Sequence, residues 1–369
     1  MKQPVTYVGL DLGTFKTAIT SSDRKRLVVP SVVGWPKNRV ARSLLGRDLI
    51  FGEEALQNQS NLNLIRPFRR GALKYVDGAD VGIGPEDIAK HKEAALLLVQ
   101  HVVSKLEVPA GRPTYSVIGV PSRATVLNKQ LIINSAKRTL DAVMVVADPF
   151  SIAYGISQLS NALVIDIGAG TIDICPMYGP HPKDEDQITL PIGGNLIDDE
   201  FQRLVMQSQP RAEFTLNQSR EIKEEFGFVC DGKERAIATV SIAGEPTQLD
   251  VTQQLNAACR TIVPGIAEAL LELLAKFDRN VQKSLFNNIL AGGGGGQLKG
   301  LDLQIVKALK PYGIAKVTQV HDAVFAGATG SLKLATNMPA EYWQQIVAPT
   351  GSVKPSKIPT ACVPLNRAA

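Results

Sequence analysis

The chain has 369 residues, of which 44% are hydrophobic, 20% charged and only 5% aromatic, and its formal net charge is +5. This length predicts about two domains, and the composition is that of an ordinary globular protein. The few aromatic residues argue against an aromatic-rich nucleic-acid-binding surface. Four widely spaced cysteines argue against a disulfide framework or a zinc site and indicate a reducing compartment. No apolar run approaches the roughly 20 residues of a membrane span. We therefore expect a cytoplasmic protein without membrane insertion.

The first half of the chain alternates strand-like and helical segments, which is the pattern of an α/β domain. Glycine and proline interrupt residues 34–80, which we interpret as a small inserted subdomain. Strands are predicted at 5–11, 17–21, 27–33, 115–121 and 142–147, and helices at 84–106, from Ser122 onward and from Asp148 onward.

The second half repeats this alternation, starting with a strand at 163–167. We predict a helix at 219–229 and a strand at 236–243 within a second inserted segment, about 195–250. A long helical pattern from 255 to 277 is expected to kink or break at Pro264-Gly265. Further predictions are strands at 288–291 and 315–320, helices at 298–309 and 322–336, and a flexible proline-containing tail at 346–369.

Two strands end in similar acidic, glycine-containing turns. The first segment reads VGLDLGT at 8–14, and the second reads VIDIGAGTID at 164–173. Such a turn presents backbone N–H groups and a threonine hydroxyl to an anion, with a carboxylate beside them. One copy alone would indicate only a strand-to-turn transition. Two copies predict a duplicated nucleotide-binding half, with a triphosphate and Mg²⁺ held between them.

Asp11 and Asp166 are the candidate metal-holding residues, because Mg²⁺ prefers a few carboxylates and several water molecules over a closed protein cage. Asp148-Pro149 is typical of a helix start, with Asp as the N-cap and Pro at the first helical position. If that helix start faces the phosphates, the Asp148 carboxylate can also orient a water molecule for attack on the γ-phosphate. Asp173 is a further acid, which strand alternation could point elsewhere.

Five glycines, 292–296, follow a predicted strand and precede a predicted helix. A flexible linker is one interpretation, but the flanking elements favour close approach of the backbone to a ligand. Lys223 and Glu224 lie on the predicted helix 219–229, and by pattern alone they indicate an exposed charged pair.

Together these residues resemble the actin–Hsp70–sugar kinase superfamily. Within it the chain is similar to the bacterial actins, and particularly to the filament-forming actins of magnetosome bacteria. The segments that carry this resemblance span nearly all of residues 5–345. They include SVVGWPK (31–37), LLGRDLIFGEEA (44–55), VIGVPSRATVLNK (117–129), VVADPFSIAYG (145–155), VIDIGAGTIDIC (164–175), QITLPIGGN (187–195) and IKEEFGFV (222–229).

The resemblance implies an α/β fold of duplicated actin-like (ribonuclease H-like) domains around a nucleotide cleft, with domains at 1–165 and 166–345. It implies an ATPase that uses ATP and Mg²⁺, polymerises with copies of itself and organises or segregates magnetosomes, with magnetosome-associated proteins as further partners. The implied catalytic residues are Asp11, Asp148 and Asp166. The implied nucleotide-binding residues are Gly13, Thr14, Lys16, Gly168, Ala169, Gly170, Thr171, Lys223, Glu224, Gly292, Gly293 and Gly294.

The chain departs from the family pattern at two places. Asp148 stands where related chains usually carry Glu, so its carboxylate is set back by about one bond length. The glycine loop is about one residue longer than the usual three-glycine version.

Three alternative functions remain compatible with the sequence. A small-molecule kinase of the same fold would need its own catalytic base near the γ-phosphate, and no separate acidic motif suggests one. A chaperone would need a peptide-binding domain, for which the predicted tail is too short. A cell-shape or plasmid-partitioning actin is the third alternative; the residues before Val5 are too few for the N-terminal amphipathic helix that would suit a cell-shape actin.

Overall fold

The computed structural model describes residues 4–69, 72–73, 85–179, 182–230, 232 and 234–347. In chain order the first half contains β1 (Thr6–Leu12), β2 (Lys16–Ser21), β3 (Arg26–Pro30), β4 (Val33–Pro36), α1 (Arg39–Leu45), β5 (Ile50–Phe51), α2 (Gly52–Gln57), β6 (Leu62–Ile65), β7 (Phe68–Arg69), β8 (Ala72–Leu73), α3 (Pro85–Ser104), β9 (Thr114–Val120), α4 (Val126–Ala136), β10 (Ala142–Ala147) and α5 (Asp148–Gly155).

The second half begins again with a strand. It contains β11 (Ala162–Ile167), β12 (Ile172–Met177), β13 (Ile188–Leu190), α6 (Gly194–Ser208), β14 (Ala212–Glu213), α7 (Leu216–Phe226), β15 (Ile237–Ile242), β16 (Glu245–Asp250), α8 (Thr252–Arg260), α9 (Ile262–Leu274), α10 (Arg279–Phe286), β17 (Ile289–Gly292), α11 (Leu301–Leu309), β18 (Val317–Gln319), α12 (Ala323–Asn337) and α13 (Ala340–Val347).

Two five-stranded sheets with equivalent strand order form the centre of the protein. The first has the order β3-β2-β1-β9-β10 and the second the order β13-β12-β11-β17-β18. In each sheet the first three strands in chain order are antiparallel neighbours, the fourth pairs in parallel with the first, and the fifth pairs in parallel with the fourth. The duplicated α/β architecture expected from the sequence is therefore confirmed. The equivalent strands β1 and β11 carry the two acidic turns at their carboxyl ends.

The strands are buried because their apolar residues are nearly continuous, which is typical of strands covered on both faces. Leu163, Ile165 and Ile167 of β11 belong to the largest apolar cluster, which α6, α8 and α9 complete. Val8, Leu10 and Leu12 of β1 pack in a separate cluster with the apolar side of α3. Each sheet thus has its own core, and the cleft lies between the two cores.

Two helices tie the halves together by crossing between them. Ile152 and Ala153 of α5, which follows the first sheet, pack against Val164 and Cys175 of the second sheet. In return α12, which follows the second sheet, lies on the first sheet, where the Thr20 hydroxyl donates to the Ala328 carbonyl at 3.0 Å.

Where α5 and α12 cross, their backbones are in direct contact. A Cβ atom added at Gly330 would lie 1.7 Å from the Ser151 carbonyl oxygen, so only glycine fits. The hydroxyls of Ser151 and Ser331 are hydrogen-bonded at 3.0 Å beside this contact. Small residues therefore set the closest approach between the two halves of the molecule.

Several predicted elements differ from those observed. The single strand predicted at 27–33 is two strands, β3 and β4, in different sheets. The long helical pattern breaks at Thr261 rather than at Pro264-Gly265, because Pro264 lies in the first turn of α9, where its missing N–H is tolerated. The helix predicted at 219–229 lies three residues earlier, as α7. Helix α6 and strand β16 were not predicted.

The predicted domain bounds stay a prediction, but α12 and α13 contact the first sheet although that division assigned them to the second half. Trp343 of α13 is 1% exposed and packs against Tyr7 and Tyr115. The two inserted segments form the small sheets β5-β4-β6 and β14-β15-β16. Part of the first insertion and all but residues 346–347 of the predicted tail lie outside the described residues; those two residues end α13.

Candidate functional site

The first acidic turn joins β1 to β2. The Ser31 hydroxyl donates to the Gly13 carbonyl at 2.8 Å and holds the turn against the strand beyond it. A Cβ atom at Gly13 would lie 2.5 Å from the carbonyl oxygen of Lys16, so the tight turn requires glycine there. The turn therefore has a fixed shape.

The second acidic turn joins β11 to β12 and is tied to the start of α6. The amide of Gly168 donates to the Thr171 carbonyl at 2.9 Å within the turn. The amides of Gly194 and Asn195 donate to the carbonyls of Gly168 and Ala169 at 3.0 and 2.8 Å. The start of α6 is thus held over the turn, an arrangement that the sequence analysis did not anticipate.

The two turns face each other across a cavity of about 340 Å³. The structure brings all but one of the predicted site residues to its wall. Those that line the cavity are Asp11, Gly13, Thr14, Lys16, Asp148, Asp166, Gly168, Ala169, Gly170, Thr171, Lys223, Glu224, Gly293 and Gly294.

Gly292 was predicted to bind the nucleotide, but it does not line the cavity. It is the last residue of β17, and a Cβ atom placed there would point at Ile152, 3.0 Å from Cδ1. The lining of the cavity comes instead from Gly293, Gly294 and Gly295. Gly293 has a φ of 72°, a left-handed conformation that favours glycine and turns the chain sharply out of the strand.

Three carboxylates gather on the floor of the cavity. Asp148 is 8% exposed, and Asp11 and Asp166 are partly exposed towards the cavity. Burial raises the pKa of Asp11 to about 6. The pKa of Asp148 and that of Asp166 are raised well above the ordinary value, first by burial and then by the neighbouring carboxylates. Such mutual repulsion indicates a site suited to a cation.

Glycines make room for each of these carboxylates. A Cβ atom at Gly119 would lie 2.0 Å from Asp148 Oδ1, and one at Gly293 would lie 2.3 Å from Asp166 Oδ1. Asp148 Oδ1 is buried and has no hydrogen-bond partner among the described residues. The predicted capping role for Asp148 is wrong, because Ala147 is the N-cap of α5 and no side chain caps it.

The far end of the cavity is formed by α7. Its Lys223 ammonium donates to the Gly194 carbonyl at 2.9 Å and pairs with Asp198 at 2.6 Å. Arg220 pairs with the other oxygen of the buried Asp198 carboxylate at 3.1 Å. This network is partly buried, so α7 and α6 are fixed relative to each other.

The rim of the cavity carries contacts between the two halves. Phe15, in the first turn, lies between Arg220 and Arg66, whose guanidinium carbons are 3.7 and 4.4 Å from the ring centroid. The pKa of Arg66 is lowered to about 10 by burial and by the nearby Arg220. Sequence reasoning missed these residues, because contacts between residues so far apart in the chain leave no local pattern.

Within the described residues, no group of three or more His, Cys, Asp or Glu side chains is arranged to hold a metal ion by itself. No described helix is both long enough and apolar enough to cross a membrane.

The family model described as MreB/Mbl protein matches residues 5–340. The chain belongs to the MreB/Mbl family. It is 36% identical to the actin-like protein MamK of Paramagnetospirillum magneticum over 346 residues, covering 94% of this chain and 96% of that protein. It is 37% identical to MamK of Magnetospirillum gryphiswaldense over 340 residues, covering 92% of this chain and 91% of that protein.

A solved structure described as a MamK double helical filament has a TM-score of 0.84 and 36% identity, covering 91% of this chain and all of that chain. The resemblance to bacterial actins, and the actin-like fold that it implied, are thereby confirmed. In this MreB/Mbl chain, the acidic turns, the glycine loop and α7 surround one cavity, as the resemblance implied.

Proposed function

We propose that the protein is a bacterial actin that binds ATP in the cleft, assembles into filaments and hydrolyses ATP to control filament turnover. One observation carries the proposal: two equivalent acidic turns, one from each half, face each other across a single cavity that also contains Asp148. The relatives support it, because the MamK structure with a TM-score of 0.84 is a filament. A second MamK structure, of a non-polymerising mutant, is bound to AMPPNP, with 36% identity, a TM-score of 0.67 and coverage of 90% of this chain and 99% of that chain.

In this proposal the backbone amides of the two turns bind the phosphates. Gly13, Thr14 and Lys16 contribute from the first half, and residues 168–171 contribute from the second. The Gly168 amide closes the turn by donating to the Thr171 carbonyl, and the lack of side chains at Gly168 and Gly170 lets phosphate oxygens approach the other N–H groups of the turn. Lys223, Glu224, Gly293 and Gly294 contact the nucleoside at the other end of the cavity.

The carboxylates fit a hydrated Mg²⁺ ion, because Asp11 and Asp166 approach from opposite walls and repel each other without a cation. When bound, Mg²⁺ would neutralise charge on the phosphate oxygens. Asp148, which lines the cavity, orients a water molecule towards the γ-phosphate. Its shorter side chain, relative to the Glu usual in the family, leads us to expect slow hydrolysis.

The decisive experiment is sedimentation of the purified protein in an ultracentrifuge with ATP and Mg²⁺, together with measurement of phosphate release. We expect pelleting only with nucleotide, followed by phosphate release from the pelleted fraction. Asp166→Asn should bind nucleotide more weakly in Mg²⁺ and release phosphate at least about tenfold more slowly. A protein that stays in the supernatant at high concentration would contradict assembly.

The proposed cellular role is the organisation or segregation of magnetosomes by a cytoplasmic cytoskeletal filament. It is supported by the similarity to MamK over more than nine-tenths of the chain. A functional fluorescent fusion should form linear structures beside the magnetosome chain, and deletion should scatter the magnetosomes. Unchanged magnetosome positions after deletion would contradict this role.

A further inference from the structure

Asp173 is a buried acid beside the cleft that the proposed function does not use. The β11–β12 register places it directly opposite Asp166, and directly opposed residues in an antiparallel pair project to the same face of the sheet. Asp173 is 1% exposed, and it does not line the cavity. It therefore lies behind the carboxylates on the cavity floor.

One contact of Asp173 crosses from one half of the chain to the other. Its Oδ1 accepts a hydrogen bond from the backbone amide of Ser122 at 2.9 Å, and both groups are buried. The same oxygen accepts a hydrogen bond from the Thr189 hydroxyl at 2.5 Å. Thr189 lies on the neighbouring strand β13, so its contact stays within the second half, whereas Ser122 belongs to the first.

Ser122 is close to the segment that supports Asp148. It follows β9, which contains Gly119, and Pro121 between them lines the cavity. Gly119 is the residue whose Cα lies against the Asp148 carboxylate. The position of Asp148 relative to the second turn thus depends on where the segment 119–122 lies.

We propose that Asp173 is a positioning residue for ATP hydrolysis, which holds segment 119–122, and through it Asp148, at a fixed distance from the second acidic turn. This inference rests on the proposed function. A hydrogen bond from a buried amide to a carboxylate is stronger than one between neutral groups, and its loss would leave a buried carboxylate without this partner. The Asp173 contact is therefore better suited to fix the closed cleft than the exposed ion pairs on the rim.

The turn after β9 allows Ser122 to be replaced by proline, which removes its amide N–H together with its hydroxyl. The Ala124 amide donates to the Pro121 carbonyl at 3.0 Å, so Ser122 occupies the second position of a turn, where proline is favoured. Ser122→Pro removes the N–H group that donates a hydrogen bond to Asp173, and proline is compatible with the backbone of this turn. Ala110→Pro is the matched control, because Ala110 has the same position in the exposed turn closed by the Arg112 amide and the Pro109 carbonyl at 3.1 Å.

The experiment measures phosphate release against ATP concentration at a protein concentration where pelleting is complete. We expect Asp173→Ala and Ser122→Pro each to lower kcat about tenfold or more, with KM for ATP changed less than about threefold. Because both variants remove the contact between Ser122 and Asp173, the double variant should be no slower than the slower single variant. Asp173→Asn, which keeps the acceptor oxygen, should recover most of the loss, and Ala110→Pro should match the wild type.

Three results would overturn the inference: wild-type kcat in Ser122→Pro, effects that multiply in the double variant, or a rise in KM without a fall in kcat. If Ser122→Pro does not fold, Asp173→Ala is compared with Thr189→Val, which removes one of the contacts that Asp173 makes within the second half. The inference requires the larger loss of kcat in Asp173→Ala, and equal losses would contradict it. Absence of turnover in the wild type would instead overturn the proposed function, and this inference with it.

Discussion

Lys16 and Glu224 form an ion pair across the mouth of the cleft, with 2.7 Å between Lys16 Nζ and Glu224 Oε2. One residue follows the first acidic turn, and the other lies on α7 of the second half. Both side chains are proposed to contact the nucleotide, so this pair competes with the ligand for the same two groups. We therefore expect nucleotide binding to break the ion pair between Lys16 and Glu224.

We predict that the coupling between Lys16 and Glu224 is small and is lost when ATP binds. The two side chains are 39% and 44% exposed, so their pairing should contribute less than about 1 kcal/mol to the free energy of unfolding. A double-mutant cycle of Lys16→Gln and Glu224→Gln, measured by denaturant unfolding with and without ATP, tests this. Lys25 and Glu107, paired at 2.6 Å outside the cleft, are the control. An equal response of both pairs to ATP would contradict the prediction.

Gly119→Ala should impair hydrolysis more than nucleotide binding. The added Cβ would lie 2.0 Å from Asp148 Oδ1, so the carboxylate has to move away from its present position. We expect kcat for phosphate release to fall at least about tenfold, with a smaller change in nucleotide affinity. Gly232→Ala is the control, because its Cβ would make only an ordinary contact of 3.6 Å with Cys230. Unchanged kcat in Gly119→Ala would show that the position of Asp148 does not limit hydrolysis.

Asp11→Asn should stabilise the nucleotide-free protein at neutral and alkaline pH. Above about pH 6 the folded protein carries a charged Asp11 whose pKa burial has raised from 3.8 to about 6. Removing this charge should add on the order of 2 kcal/mol to the free energy of unfolding. As the pH falls, the folded wild type takes up a proton before the unfolded chain does, so the difference should disappear by about pH 4.

The measurement is denaturant unfolding of both proteins between pH 4 and pH 8 without nucleotide. The same variant should lose Mg²⁺-dependent ATP binding, so the expected gain in stability accompanies a loss of function. A difference between the proteins that grows as the pH falls would have the wrong sign and would contradict this assignment.

Gly330→Ala should strongly destabilise the fold. Its Cβ would lie 1.7 Å from the Ser151 carbonyl oxygen, and a backbone atom in a packed helix crossing cannot move aside alone. We expect a loss of about 3 kcal/mol or more in the free energy of unfolding. In Gly265→Ala, the new Cβ would instead meet the flexible end of Ile192 at 3.1 Å, so we expect a change of less than about 1 kcal/mol. Similar effects of the two substitutions in thermal or denaturant unfolding would contradict this assignment.

The sequence was sufficient to predict the two turns, because each follows a nearly continuous apolar strand and contains its own glycines and carboxylate. It misplaced Gly292, because a run of glycines has no side chains to mark where the strand ends and the loop begins. It did not reveal that α12 covers the first sheet, since the apolar face of a helix does not specify which sheet it will meet. The contact of Phe15 with Arg66 and Arg220 was missed for the same reason, as it depends on tertiary packing.

The crossing at Gly330 also limits how the halves can move. Because the backbones of α5 and α12 touch at this point, the two helices cannot slide past each other. The movement left to the two halves is a hinge rotation about the contact. Displacements then grow with distance from the pivot, so Gln59 and Asn217, whose side chains lie 3.4 Å apart between the two inserted segments, should separate when the cleft opens. Fluorescent labels at those two positions would report each opening and closing event in a single molecule.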